Sequence, residues 1–269
     1  MIVFPPAKIN LGLRLLRKRP DGYHDLESCL LPVGWHDALE VMEDDAFSFQ
    51  TTGLLIPGDD EDNLCVKAYQ LLQQDFTLPP VQVHLHKAIP MGAGLGGGSS
   101  DAAHMLILLN KLFDLSLATL DLEGYASQLG SDCPFFIRAR PQMVSGTGTT
   151  LEDTPLNLSG KHLVLVYPNV AVTTAEAYAR VRPQERDSSL KESLETLPLT
   201  HWRDHIGNDF EESVFQQHPV LADIKQELYD RGALYASMSG SGSTLYGLFD
   251  EPPSLPASWN KYTVWEGKL

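Results

Sequence analysis

The stretch "PMGAGLGGGSSD" at residues 90–101 holds five glycines, two serines and an acid. Glycines let a backbone reach positive φ and close on a ligand. The run lies between "VQVHLHK", where Val81, Val83 and Leu85 alternate as on a strand, and "AAHMLILLNKLF". In the latter, Ala102, Met105, Leu106, Leu109 and Leu112 share one face and predict a buried helix. A strand, a glycine turn and a helix N-terminus together form an anion site, and phosphate is its usual guest.

Three phosphate-bearing occupants compete for this loop. A Walker A loop needs a lysine after its last glycine, and none follows here. Gly92, Gly94 and Gly97 spell the dinucleotide fingerprint G-x-G-x-x-G. That fingerprint needs the strand to run almost directly into its first glycine, but Ala88, Ile89 and Pro90 intervene, and proline cannot donate to a ladder. Asp114 stands near the distance expected of a ribose-binding acid, yet it follows a helix and not a second strand. A triphosphate in another kind of glycine loop remains, with Gly96, Gly97 and Gly98 around the phosphates. Ser99 or Ser100 would offer a hydroxyl to phosphate or to Mg²⁺. A plain helix-starting turn explains less, because the small residues from Gly94 to Ser100, broken only by Leu95, exceed what a cap requires.

Other reactive side chains are scattered. His201 and His205 have i, i+4 spacing, but no third ligand accompanies them and a solvated surface pair is the reading. His84 and His86 share the polar face of their strand. Cys133 has no evident partner for nucleophilic chemistry and reads as a buried small residue. No metal site of the protein's own is expected.

The elements that must position these groups follow from periodicity. Residues 1–16 predict a strand, clearest in "INLGLRLL", and "RPDG" breaks it with a turn signal. Further strands are expected from about Leu26, in "HDALEVME" and in "FSFQTT". Asp62 or Asn63 would cap a helix beginning "LCVKAYQLL". A helix over 119–129 should stop at Gly130, with "FFIR" as a short strand beyond it. Residues 139–160 read as a linker, and "KHLVLVYP" as a strand. Thr173 and Glu176 have capping-box spacing and open a helix expected to reach about Val181. Helices are expected at about 208–216 and 219–231, the second ended by Gly232, and two strands flank "GSGS" near the C-terminus. This mixed order argues for an α+β protein with a boundary near residues 145–160.

Composition narrows the setting. With 43% hydrophobic residues in 269, a sizeable core is available. A net charge of -15 argues against coating nucleic acid or an anionic membrane, so an anionic substrate would need a local positive site. Three unclustered cysteines suggest a reducing compartment. The N-terminus lacks a signal-peptide pattern, and no apolar run of about 18 residues exists, so a cytoplasmic protein is expected. Oligomeric state is not legible.

Three segments resemble the motifs of the GHMP kinases (galactokinase, homoserine, mevalonate and phosphomevalonate kinases). "PAKINLGLRLL" is similar to the first, "PMGAGLGGGSSDAA" to the second and "MSGSGSTLYGLF" at 238–249 to the third, in the family's order. The resemblance implies a two-domain fold: a ribosomal protein S5 domain 2-like N-terminal domain over 1–150 and a ferredoxin-like C-terminal domain over 151–269. It implies phosphoryl transfer from ATP, with Mg²⁺, to an alcohol. "RPDGYHDLES" and "LGSDCPFFI" are similar to members whose alcohol carries a cytidine diphosphate group, phosphorylated on its 2-hydroxyl in the non-mevalonate route to isoprenoid precursors. A homoserine or mevalonate type of substrate is the alternative.

The same resemblance assigns residues. Asp132 matches the proton acceptor. Lys8 matches the lysine that holds this acid ionised, stabilises the substrate oxygen or offsets γ-phosphate charge. Pro90, Met91, Gly92, Ala93, Gly94, Leu95, Gly96, Gly97, Gly98, Ser99 and Ser100 match the ATP loop. Asn63 reaches adenine or ribose by family position, or only caps its helix. Asn10 is a candidate substrate hydrogen-bonder. Tyr23 matches the aromatic that stacks on cytosine, His24 the group that bonds its edge, and Tyr178 the second stacking ring. Thr173 contacts substrate or merely caps. Ser239 to Ser243 help close the site, or form a hairpin turn.

Overall fold

The computed structural model describes residues 1–179, 181–184, 186 and 188–269. In chain order the strands are β1 (Ile2–Val3), β2 (Pro6–Lys18), β3 (His24–His36), β4 (Ala38–Glu43), β5 (Ser48–Gly53), β6 (Val81–Lys87), β7 (Gln142–Gly146), β8 (Thr150–Asp153), β9 (His162–Tyr167), β10 (Tyr235–Met238), β11 (Leu245–Phe249) and β12 (Thr263–Lys268). The helices are α1 (Leu64–Leu72), α2 (Gly97–Leu112), α3 (Thr119–Leu129), α4 (Cys133–Arg138), α5 (Thr174–Tyr178), α6 (Leu190–Thr196), α7 (Trp202–His205), α8 (Glu211–Gln217) and α9 (Pro219–Asp230). The chain falls into two compact units that interleave in sequence. One comprises residues 1–8, 35–91 and 96–140, the other 9–34, 92–95 and 141–269.

The first unit holds a sheet ordered β1-β4-β6-β5, in which only β5 and β6 run parallel. Alternation along β4 and β6 turns Leu39, Val41, Val83 and Leu85 to the same interior, in a register that pairs Leu39 with Leu85 and Val41 with Val83. Ala68 and Leu72 of α1 and Met105, Leu106 and Leu109 of α2 complete this core. Each such large aliphatic side chain contributes roughly 1.5–3 kcal/mol of burial. Helix α2 packs against α1, α3 and α4, so its N-terminus is held from several sides.

The second unit holds an antiparallel sheet ordered β10-β11-β9-β12, with α9 lying on β10 and β11. Val164, Val166, Met238 and Leu245 of this sheet pack with Phe210, Val214, Ile224 and Leu228. A further sheet has the order β2-β3-β7-β8. Among the described residues no helix is long and apolar enough to cross a membrane.

Several local expectations change. "FFIR" lies in α4, not in a strand, because Pro134 sits at the helix start, where its missing N–H costs nothing. The glycine- and threonine-rich run after residue 139 is not only linker: it contains the paired strands β7 and β8. The helix opened by Thr173 ends at Tyr178, short of Val181; residue 180 lies outside the described residues. The expected 208–216 helix begins at Glu211, because the Asn208 side chain accepts from the Phe210 amide and forms a turn there. Gly130 ends α3 with extended backbone, at φ 169°. Helices α6 and α7 and strand β12 were not expected.

Candidate active site

In the first unit, the alternation of β6 continues one step beyond Leu85 and buries Lys87. The chain then passes Ala88, Ile89 and Pro90, and α2 starts at Gly97. Gly96 caps α2 with φ 69°, a left-handed conformation that glycine adopts without strain. A Cβ on Gly96 would stand 2.9 Å from Phe136 Cζ and 3.1 Å from Lys8 Cγ. Gly96→Ala should therefore cost at least about 1–2 kcal/mol from the left-handed backbone alone. Its urea midpoint should fall, and an unchanged midpoint would contradict this packing.

The first amide in α2 with an intrahelical acceptor is that of Ser100, which donates to Gly96 O at 2.9 Å. The N–H groups before it are aimed out of the helix, as at any helix start. A side chain on Gly98 would meet open space. Ser100 Oγ is buried and has no partner among the described residues. A buried lone hydroxyl beside free helix-start amides suits an anion with its counter-cation.

Lys8 comes to the same place from β2 and is almost fully buried. Asp132 precedes α4 and occupies its N-cap position, yet its carboxylate makes no capping bond. It faces Lys8 instead, Oδ2 to Nζ at 3.5 Å, and is 39% exposed against 5% for the lysine. A carboxylate so placed is open to a substrate hydroxyl while its partner cation is held dry. Burial pushes the neighbouring Cys133 thiol up to about 11, which keeps it out of nucleophilic chemistry. The Asn63 side chain accepts from Cys65 N at 2.9 Å and caps α1.

A buried ion triad joins the end of β6 to the first turns of α2. Lys87 Nζ donates to Asp37 Oδ2 and, at 2.7 Å, to Asp101 Oδ2. Burial first, and the Asp37 carboxylate beside it, push the Asp101 carboxyl up, to about 7, against the pull of the Lys87 ammonium. For Lys87, burial lowers the pKa, but Asp101 and Asp37 outweigh it and the net shift is upward. The sequence reading missed this triad, although the 81, 83, 85, 87 alternation already pointed Lys87 inward.

The second unit gathers a different set. The Asp-Gly turn closes by Arg19 N donating to Tyr23 O at 2.8 Å, and Asp21 Oδ1 accepts from Tyr23 N at 3.1 Å. Tyr23 is left 67% exposed. The His24 ring lies 5.1 Å from that of Tyr178, tilted by 34°, and Tyr178 packs edge-on against Phe210 at 4.8 Å. Thr173 Oγ1 accepts from Glu176 N at 3.1 Å, a helix cap. Asn10 is buried, and its Nδ2 donates to Ser28 Oγ at 2.8 Å.

The third motif folds onto residues 93–94. Ser239 Oγ donates to Gly94 O at 2.8 Å, and Thr244 N to Ala93 O at 3.2 Å. A Cβ on Gly94 would stand 2.1 Å from Ser239 O, so this approach needs glycine. Asn208 Nδ2 donates to Met238 O and Gly240 O, both at 2.8 Å, fixing the motif's start. No spacing in the sequence announced Asn208. His201 and His205 belong to short turns at Leu199–His201 and α7, and among the described residues no cluster of His, Cys, Asp or Glu suits a metal ion.

A glycine loop leading into a helix, with a buried lysine against an open carboxylate, is the equipment of a phosphotransferase. Residues 63–140 match the model for the GHMP kinases N terminal domain, and residues 189–262 that for the GHMP kinases C terminal domain. The chain belongs to the GHMP kinase family. It is 52% identical over 95% of its length to the 4-diphosphocytidyl-2-C-methyl-D-erythritol kinase of Bacteroides thetaiotaomicron, of which 94% is covered. It is 48% identical to the kinase of the same name from Parabacteroides distasonis, over 100% of both chains. A crystal structure of 4-(cytidine 5'-diphospho)-2C-methyl-D-erythritol kinase matches with a TM-score of 0.80 at 32% identity, covering 92% of this chain and 90% of that one.

Proposed function

We propose that this protein is an ATP-dependent kinase that phosphorylates the 2-hydroxyl of 4-diphosphocytidyl-2-C-methyl-D-erythritol, an alcohol of the non-mevalonate route to isoprenoid precursors. The observation that carries the reading is the Lys8–Asp132 pair beside the start of α2. The names of the relatives support the choice of alcohol.

Residues 90–100 bind the triphosphate, with the amides at the start of α2 turned to its oxygens. Asn63 lies toward the base and ribose. Ser100, with Ser99 beside it, would hold Mg²⁺, which supplies charge neutralisation on the phosphate oxygens. Asp132 takes the proton of the 2-hydroxyl as that oxygen bonds to phosphorus. Lys8, 3.5 Å from Asp132, steadies the oxygen that loses the proton. Tyr23 and Tyr178 offer flat faces to the cytosine, His24 bonds its edge, and Asn10 and Thr173 complete the contacts to the alcohol. The family domains are assigned as 1–150 and 151–269, each carrying part of this equipment. Three buried free cysteines support a reducing, cytoplasmic setting.

Tyr23→Ala should raise KM for the cytidyl alcohol on the order of tenfold, one lost aromatic contact, with KM for ATP unchanged. An equal loss of ATP affinity would remove Tyr23 from the cytosine site. The reading as a whole is tested by ADP release from ATP and Mg²⁺ with a panel of alcohols. Turnover is expected with the diphosphocytidyl alcohol; turnover with homoserine or mevalonate in its place would overturn the choice of substrate.

A further inference from the structure

We infer that Lys87 is a positioning residue for the nucleotide loop: clasped by Asp37 and Asp101, it ties the chain entering the glycine run to the helix that leaves it. This rests on the reading of residues 90–100 as the ATP loop. Lys87 ends β6, and its side chain has no exposure; those of Asp37 and Asp101 have 0% and 3%. Asp37 uses both oxygens. Oδ2 accepts from Lys87 Nζ, and Oδ1 accepts from the amides of Ala88 at 2.6 Å and Ile89 at 2.9 Å. Those two amides are the last before Pro90, so Asp37 sets the direction in which the chain enters the loop.

Asp101 sits one turn inside α2. Its Oδ2 accepts from Lys87 at 2.7 Å, and its Oδ1 has no partner among the described residues. Its tie to the entering chain therefore runs through the ammonium. Gly97 completes the arrangement, since a Cβ there would stand 3.2 Å from Lys87 Nζ and 3.0 Å from Ile89 Cγ2. The helix start thus rests directly on the triad.

Stability is a weak reason to keep such a cluster. Buried ion groups lose so much hydration that apolar replacements of like volume are often as stable or more so. A fixed register is the better reason. Amides that stabilise a transferring phosphoryl group must be placed before the reaction, and small misplacements are costly in rate and affinity.

The test separates register from stability. Lys87→Met leaves two buried carboxylates without their cation, so Tm should fall and KM for ATP should rise on the order of tenfold. KM for the alcohol should hold. The double variant Lys87→Met/Asp101→Asn removes one of the two leftover charges, and Asp37 keeps the amides of Ala88 and Ile89, so Tm should recover in part while KM for ATP stays raised. Recovery of both in the double variant, or an unchanged KM for ATP in Lys87→Met, overturns the inference. If neither variant folds, Asp101→Asn alone decides, with a raised KM for ATP expected and an unchanged one overturning it. Binding of a non-hydrolysable ATP analogue by calorimetry runs in parallel, free of the alcohol. A wild-type protein that binds none overturns the reading of the loop and this inference with it; binding by wild type with indifferent variants overturns the inference alone.

Discussion

Asp132→Asn is expected to lower kcat by about 10²–10⁴-fold and to leave affinity for ATP essentially unchanged, the range for loss of a positioned proton acceptor. Asparagine keeps the volume and can still face Lys8, but it cannot take a proton. Capping does not explain the acid, since the carboxylate makes no bond to α4. Its side chain is 39% exposed beside a dry lysine, so it is open to solvent. Steady-state kinetics with both substrates checks the split, and unchanged kcat would remove Asp132 from the mechanism.

Lys8→Met should give the second large effect, with kcat expected to fall roughly 10²–10³-fold, as when one fixed donor to a developing charge is removed. Methionine retains most of the stem that packs against Gly96, so the fold should hold, and thermal melting checks that. The double variant Lys8→Met/Asp132→Asn is the informative companion. If Lys8 acts through Asp132, the pair loses little more than either single change. Multiplying losses would mean that Lys8 acts on the phosphate by itself.

Much of this site was legible because its physics is local. The glycine run, its strand and its helix are neighbours in sequence, and the periodicities on either side place the loop at a helix start. The capping roles of Asn63 and Thr173 followed from residue type and spacing, and both caps are present. The failures were short or tertiary. "FFIR" is too short for its period to separate strand from helix, and Pro134 decided it. The strands β7 and β8 hid in a stretch whose glycines and threonines read as linker. The pairing of His24 with Tyr178 and the reach of Ser239 to Gly94 join residues 154 and 145 positions apart, a separation no local pattern encodes. Lys87 was legible in principle, as the last inward position of β6, but its acidic partners come from elsewhere in the chain.

Locating the transferred phosphorus tests the central claim most directly. The protein, ATP, Mg²⁺ and 4-diphosphocytidyl-2-C-methyl-D-erythritol are incubated and followed by phosphorus NMR. The account predicts a new phosphomonoester at the alcohol's 2-position, formed in equal amount with ADP and absent when Asp132 is replaced by asparagine. Inorganic phosphate accumulating with ADP and no ester, or no ADP at all, would contradict it.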